Sequence, residues 1–114
     1  MDMLYYIYIG SNRVTIDHLS KITGGMFMAV SSCNKAAKVI DGIRERYNTS
    51  ILYEESTPQK DSQNITFLHK RFPRVYIILI TEGLQKEHRK LYLQAGVNNT
   101  LSPMASEESL QQMT

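Results

Sequence analysis

The chain has 114 residues, 42% hydrophobic and 21% charged, a composition that supports one globular core and not two. A formal net charge of +2 with no dense Lys/Arg cluster argues against a nucleic-acid partner, and no run approaches the ~20 apolar residues of a membrane span. The single cysteine, Cys33, excludes an internal disulfide and fits a reducing compartment, so a cytoplasmic location is expected.

Leu4-Tyr5-Tyr6-Ile7-Tyr8-Ile9 is a short aromatic and β-branched run with no basic leader, and Gly10-Ser11-Asn12 ends it; it reads as a buried strand. From Arg13 to Thr23 apolar residues recur at Ile16, Leu19 and Ile22, a helical spacing stopped by Gly24-Gly25. Met26 to Val30 is a second strand, and Ser31, Ser32 and Asn34 offer caps for the next helix. That helix carries Ala36, Ile40, Ile43 and Tyr47 on one face. Ser50-Ile51-Leu52-Tyr53 forms strand three and leads into Glu54-Glu55-Ser56-Thr57-Pro58. A third helix from Asp61 turns Ile65, Leu68 and Phe72 inward and ends before Pro73. Its basic end, Lys70-Arg71-Phe72-Pro73-Arg74, reads as a solvated helix terminus. Val75 to Ile80 is unbroken apolar sequence, the mark of a strand buried on both faces. A fourth helix from about Leu84 to Ala95, a brief strand at Thr100-Leu101 and a weak helix with Leu110 and Met113 complete the series.

Strands alternating with helices imply right-handed crossovers and a parallel sheet covered on both sides. The expected architecture is a doubly wound five-stranded α/β domain over residues 1–114. The last helix has about two turns, so an excised or shortened domain, the N-terminal part of a longer chain, is expected. A thinly covered apolar face near Leu110 and Met113 follows from that reading.

Three landmarks, in order, resemble the receiver domains of two-component response regulators, over nearly the whole chain. Glu54-Glu55-Ser56-Thr57-Pro58 is similar to the phosphoacceptor loop Asp-x-x-x-Pro, with Glu54 at the acceptor position. Ile77 to Thr81 resembles the strand ending in a phosphoryl-binding Ser/Thr. Ala95-Gly96 followed by Leu101-Ser102-Pro103 resembles the Ala-Gly-Ala and Lys-Pro segments, with Ser102 in place of lysine. The resemblance implies the flavodoxin-like three-layer sandwich, with strand order 2-1-3-4-5. It also places the family's paired acidic residues on Gly10 and Ser11, and its switch aromatic on Asn99.

Phosphoryl transfer to a carboxylate is largely electrostatic and needs Mg²⁺, which takes one or two protein carboxylates. Gly10 has no side chain, Ser11 is neutral and Ser102 supplies no cation, so no metal and no cofactor are expected. Glu54 has two readings. It reaches one methylene beyond Asp and could accept from Thr81 as a fixed mimic of the phosphorylated state; the favoured reading is a solvated strand-end residue. Gly10-Ser11-Asn12 lacks the G-x-G-x-x-G spacing of a nucleotide cradle. His18, His69 and His88 fall on three helices without acidic or cysteine partners and read as surface or half-buried residues. Asn48, Asn64 and Asn98 head Asn-x-Ser/Thr triplets read as chance matches.

The reading that results is a non-catalytic pseudo-receiver with a vestigial pocket of Gly10, Ser11, Thr81, Ser102 and Pro103. It acts by contact with its own C-terminal output domain or a second copy, with a sensor kinase as a further partner and with neither nucleic acid nor membrane. The resemblance places its contact surface on the fourth helix, fifth strand and fifth helix, through Tyr92, Asn98, Asn99, Met104 and Leu110. The alternatives are a phosphoacceptor with an atypical site and a small-molecule or nucleotide-binding enzyme on a flavodoxin-like sheet.

Overall fold

A computed structural model describes residues 3–113. Five strands, β1 (Met3–Ile9), β2 (Phe27–Val30), β3 (Tyr47–Glu54), β4 (Tyr76–Ile80) and β5 (Asn99–Leu101), form one parallel sheet in the order β2-β1-β3-β4-β5. The crossovers are α1 (Arg13–Ile22), α2 (Cys33–Ile43), α3 (Pro58–Arg71) and α4 (Lys86–Ala95), and α5 (Glu107–Met113) follows β5. The expected topology is the observed one.

Alternation along each strand divides the core in two. Ile7, Ile9, Ile51, Tyr53, Ile77 and Leu79 face α2, α3 and α4, where Ala36, Ile40, Ile65, Leu68, Tyr92 and Ala95 cover them. Tyr6, Tyr8, Leu52, Ile78 and Ile80 face the other way, under Leu19 of α1, Ala105 and Leu110. Seven residues of α5 are enough: Leu110 is buried and Met113 packs against the same cluster. This corrects the expected apolar patch. Tyr92 and Leu110 are both buried, and they lie on opposite faces of the sheet.

Local chemistry explains the shifted boundaries. Tyr47, assigned to a helical face by spacing, instead opens β3 opposite Met3 and meets the Tyr5 ring edge-on at 5.4 Å between centroids; paired aromatics favour a pleated surface. The third helix starts at Pro58 and not Asp61, because proline at the first helical position has its φ preset and lacks only an N–H the helix leaves unused. Asn12 and Ser32 cap α1 and α2 by accepting from Thr15 N and Lys35 N. Gly96 ends α4 at φ 125°, and a Cβ there would lie 2.7 Å from His69 Cγ, so α3 and α4 close against a bare backbone.

One polar group is buried in the layer formed by α2, α3 and α4. Asp61, with 0% exposure, accepts from Ser56 N (2.7 Å), Tyr92 Oη (2.8 Å) and Tyr53 Oη (3.1 Å), and Asn64 Nδ2 donates to the Tyr53 hydroxyl. The carboxylate thus ties β3, α3 and α4 together, each partner held by a charge-assisted bond. Desolvation, followed by Asp61 itself for Tyr92, pushes both phenols far above their ordinary range, so they stay donors at every physiological pH. Asp61→Ala strands two buried phenols and the Ser56 amide and is expected to cost about 3 kcal/mol in chemical denaturation. Tyr92→Phe removes one partner and is expected to cost about 1 kcal/mol.

Candidate functional site

The carboxyl ends of β1, β3 and β4 meet where a doubly wound sheet usually offers its crevice. Glu54, the last residue of β3, does not project into solvent there. Its carboxylate turns toward β1, where Oε1 accepts from Tyr8 Oη (2.5 Å) and Asn12 N (2.9 Å), and Oε2 from Ser11 N (3.3 Å). Ser11 and Asn12 are the residues entering α1, so the anion docks at a helix N-terminus, where free amides and the helix dipole favour negative charge. Burial first, and Glu54 second, raise the Tyr8 phenol far above its ordinary value, so it remains a donor. The expectation of a solvated Glu54 is therefore corrected: the side chain is held by three donors.

Gly10 makes this possible. A Cβ on residue 10 would stand 2.6 Å from both Cβ and Cδ of Glu54, and the backbone there has φ 157°. The position that the receiver resemblance assigns to an acidic side chain is filled instead by the side chain of Glu54. Thr81 is buried and donates to Glu55 Oε1 at 2.7 Å, not to Glu54, so the link from Glu54 to Thr81 in the less favoured reading is absent. Pro103 joins Tyr8, Asn12, Glu54, Glu55 and Thr81 around the crevice. Ser102 is taken up in the turn before α5, accepting from Met104 N at 3.2 Å.

The residues do not fit a divalent cation of the kind the fold family employs. Glu54 oxygens already accept three donors, Gly10 and Ser11 add no carboxylate, and no group of three His, Cys, Asp or Glu among the described residues could hold a metal. The loop amides that could cradle a phosphate are occupied by Glu54 for the same reason.

The expected contact surface is only partly at the surface. Tyr92 (0% exposed) and Leu110 (2%) are core residues, and Asn98 spends its side chain on Ile77 N at 2.8 Å. Asn98, Asn99 and Met104 are nonetheless exposed, and Leu93 of α4 joins them as an exposed apolar residue that the spacing did not single out. Asp61 was also missed as a buried hub. The available signal was an acidic residue in the first turn after Pro58, beside a strand that ends in tyrosine. Cys33 opens α2 beside Asp61 and Lys60 in a cleft of about 410 Å³. His18 spans α1 to the loop before α5 through Nε2 and the Ala105 carbonyl, 2.6 Å apart.

The sequence matches no protein-family model and no curated protein. The fold is that of CheY-like receiver domains. A CheY-like protein from Pseudomonas aeruginosa superimposes with TM-score 0.77 at 13% identity, covering 99% of this chain and 91% of its own. The signal receiver domain of an HD domain-containing protein from Pseudomonas fluorescens gives 0.78 at 14%, covering 99% and 85%. The receiver domain of Ssk1 from Saccharomyces cerevisiae, crystallised with the histidine phosphotransfer protein Ypd1, gives 0.67 at 12%, covering 98% and 86%.

Two outcomes follow from this geometry. Gly10→Ala is expected to cost about 2 kcal/mol, since the methyl must displace Glu54. The double variant Gly10→Ala/Glu54→Ala is expected to be more stable than Gly10→Ala alone, because the collision is gone; denaturant melts of the three proteins decide it. Burial, with a smaller contribution from Asp61, pushes the Cys33 thiol from 9.0 up to about 11. Its folded-state pKa is raised, so the associated stability is full below pH 9 and is lost as pH climbs through 11. Alkylation of Cys33 by iodoacetamide is expected to stay slow at pH 8 and to accelerate toward pH 11, read by mass spectrometry across a pH series.

Proposed function

We propose that this chain is a receiver-fold signalling module that works by protein contact and not by accepting a phosphoryl group. The observation that carries the reading is Glu54 folded onto the α1 N-terminus over Gly10, its oxygens satisfied by Tyr8, Ser11 and Asn12. An acceptor carboxylate must present a free oxygen to the incoming phosphorus, beside a cation that offsets the gathering charge. Here the oxygens are committed and the cation ligands are lacking. The same occupation of the loop amides argues against the flavodoxin-like enzyme reading, since the carboxylate would compete with any ligand phosphate.

Contact would then run through α4, β5 and the loop into α5, where Leu93 (58% exposed), Asn99 and Met104 (59%) offer apolar and amide groups to a partner. An attached output domain or a second copy fits this surface. The comparison with Ssk1 suggests a phosphotransfer protein or sensor kinase as the partner if the phosphoacceptor reading holds instead. No helix among the described residues is long and apolar enough to cross a membrane.

Incubation with Mg²⁺ and beryllofluoride, followed by amide chemical shifts, tests the reading directly. The expected result is no saturable change at Glu54, Glu55 or Thr81. Shifts there that saturate at millimolar Mg²⁺, or a mass gain with acetyl phosphate that Glu54→Gln abolishes, would establish the phosphoacceptor instead.

A further inference from the structure

At the opposite end of the sheet, the amino-terminal edge of β3 and β4 opens into a groove of about 960 Å³. Three arginines line it: Arg44 just past α2, Arg71 ending α3 and Arg74 before β4, against one carboxylate, Glu45. Thr49 is among its lining residues. Thr49 is 8% exposed, and its hydroxyl is buried with no hydrogen-bond partner. A hydroxyl removed from water and left unpaired is costly, and such groups are rare in folded proteins unless a ligand or water completes them.

The arginines are not equivalent. Arg71 is set in place: its guanidinium pairs with Asp41 and stacks 5.4 Å from the Phe72 ring centroid. Arg44 shares the same carboxylate at 3.7 Å, so Asp41 is divided between two cations. Arg74 has no ion pair among the described residues. A guanidinium presents five donors in a fixed plane, and one carboxylate uses only part of them. Fixed donors, an uncompensated cation and an unpaired hydroxyl in one groove share a single chemical complement, an oxyanion with several acceptor atoms.

We infer that this groove binds a small phosphate-bearing ligand, its oxygens held by Arg71 and Arg74 beside Thr49. The basic run from Lys70 to Arg74 then has a use beyond solvating a helix end. The site lies at the far edge of the sheet from Glu54, so it stands whether or not the proposed contact function does.

Amide chemical shifts of the whole chain, titrated with inorganic phosphate and separately with adenosine monophosphate, test it. Saturable shifts at Thr49, Ser50, Arg74 and Val75 are expected with either probe, and tighter binding of the nucleotide would show that the groove holds the ester as well as the anion. Arg74→Ala, at an exposed position, is expected to weaken binding about fivefold or more. Thr49→Val is expected to raise Tm without ligand, by removing the unpaired hydroxyl, and to diminish the Tm gain given by phosphate; Thr49→Ser keeps that gain. The inference is overturned if neither probe gives saturable shifts up to about 20 mM. It is equally overturned if the shifts centre on Ser11 and Asn12, or if Arg74→Ala binds like the parent.

Discussion

A parallel sheet buried on both faces governs the rest of this molecule. Ile51, Leu52, Ile77, Ile78 and Leu79 are fully enclosed, and burying each such side chain contributes about 1.5–3 kcal/mol. Enclosure on both sides leaves polar groups few places: the strand ends, the helix surfaces, or an interior position where every donor and acceptor is matched. The two carboxylates that define this structure each follow one of these routes.

Asp61 takes the interior one. Two phenols and an amide satisfy it, and in exchange it fixes how α3 and α4 stand over β3. Glu54 takes the strand end, but it too is matched, by a phenol from the neighbouring strand and the first amides of α1. The consequences differ. Asp61 is part of the packing, whereas Glu54 lies at the carboxyl end of the sheet, its oxygens accepting from Tyr8, Ser11 and Asn12.

The partition of polar groups also separates the two ends of the sheet. At the carboxyl end the donors are matched internally by Glu54 and Glu55. At the amino end Arg44, Arg71 and Arg74 line one groove with a single lining carboxylate, Glu45, and the Thr49 hydroxyl is left unpaired.

The amino-acid sequence by itself determined the element series, the parallel order and the resemblance to receivers. Those depend on local periodicity, on glycine and proline at element ends, and on the unbroken apolarity of β4, all readable within a few residues. It also showed that Gly10, Ser11 and Ser102 lack the charges of a phosphoacceptor site. Only the tertiary structure decided where Glu54 points, because its donors Tyr8, Ser11 and Asn12 lie more than forty positions away in the chain. The same holds for Tyr92 and Leu110. The resemblance placed both on a contact surface, but which face of the sheet each meets follows from how the layers close. Asp61 was read as an ordinary helix-start acid for the same reason: a carboxylate's burial is set by partners from other elements, and no local pattern in the chain encodes them.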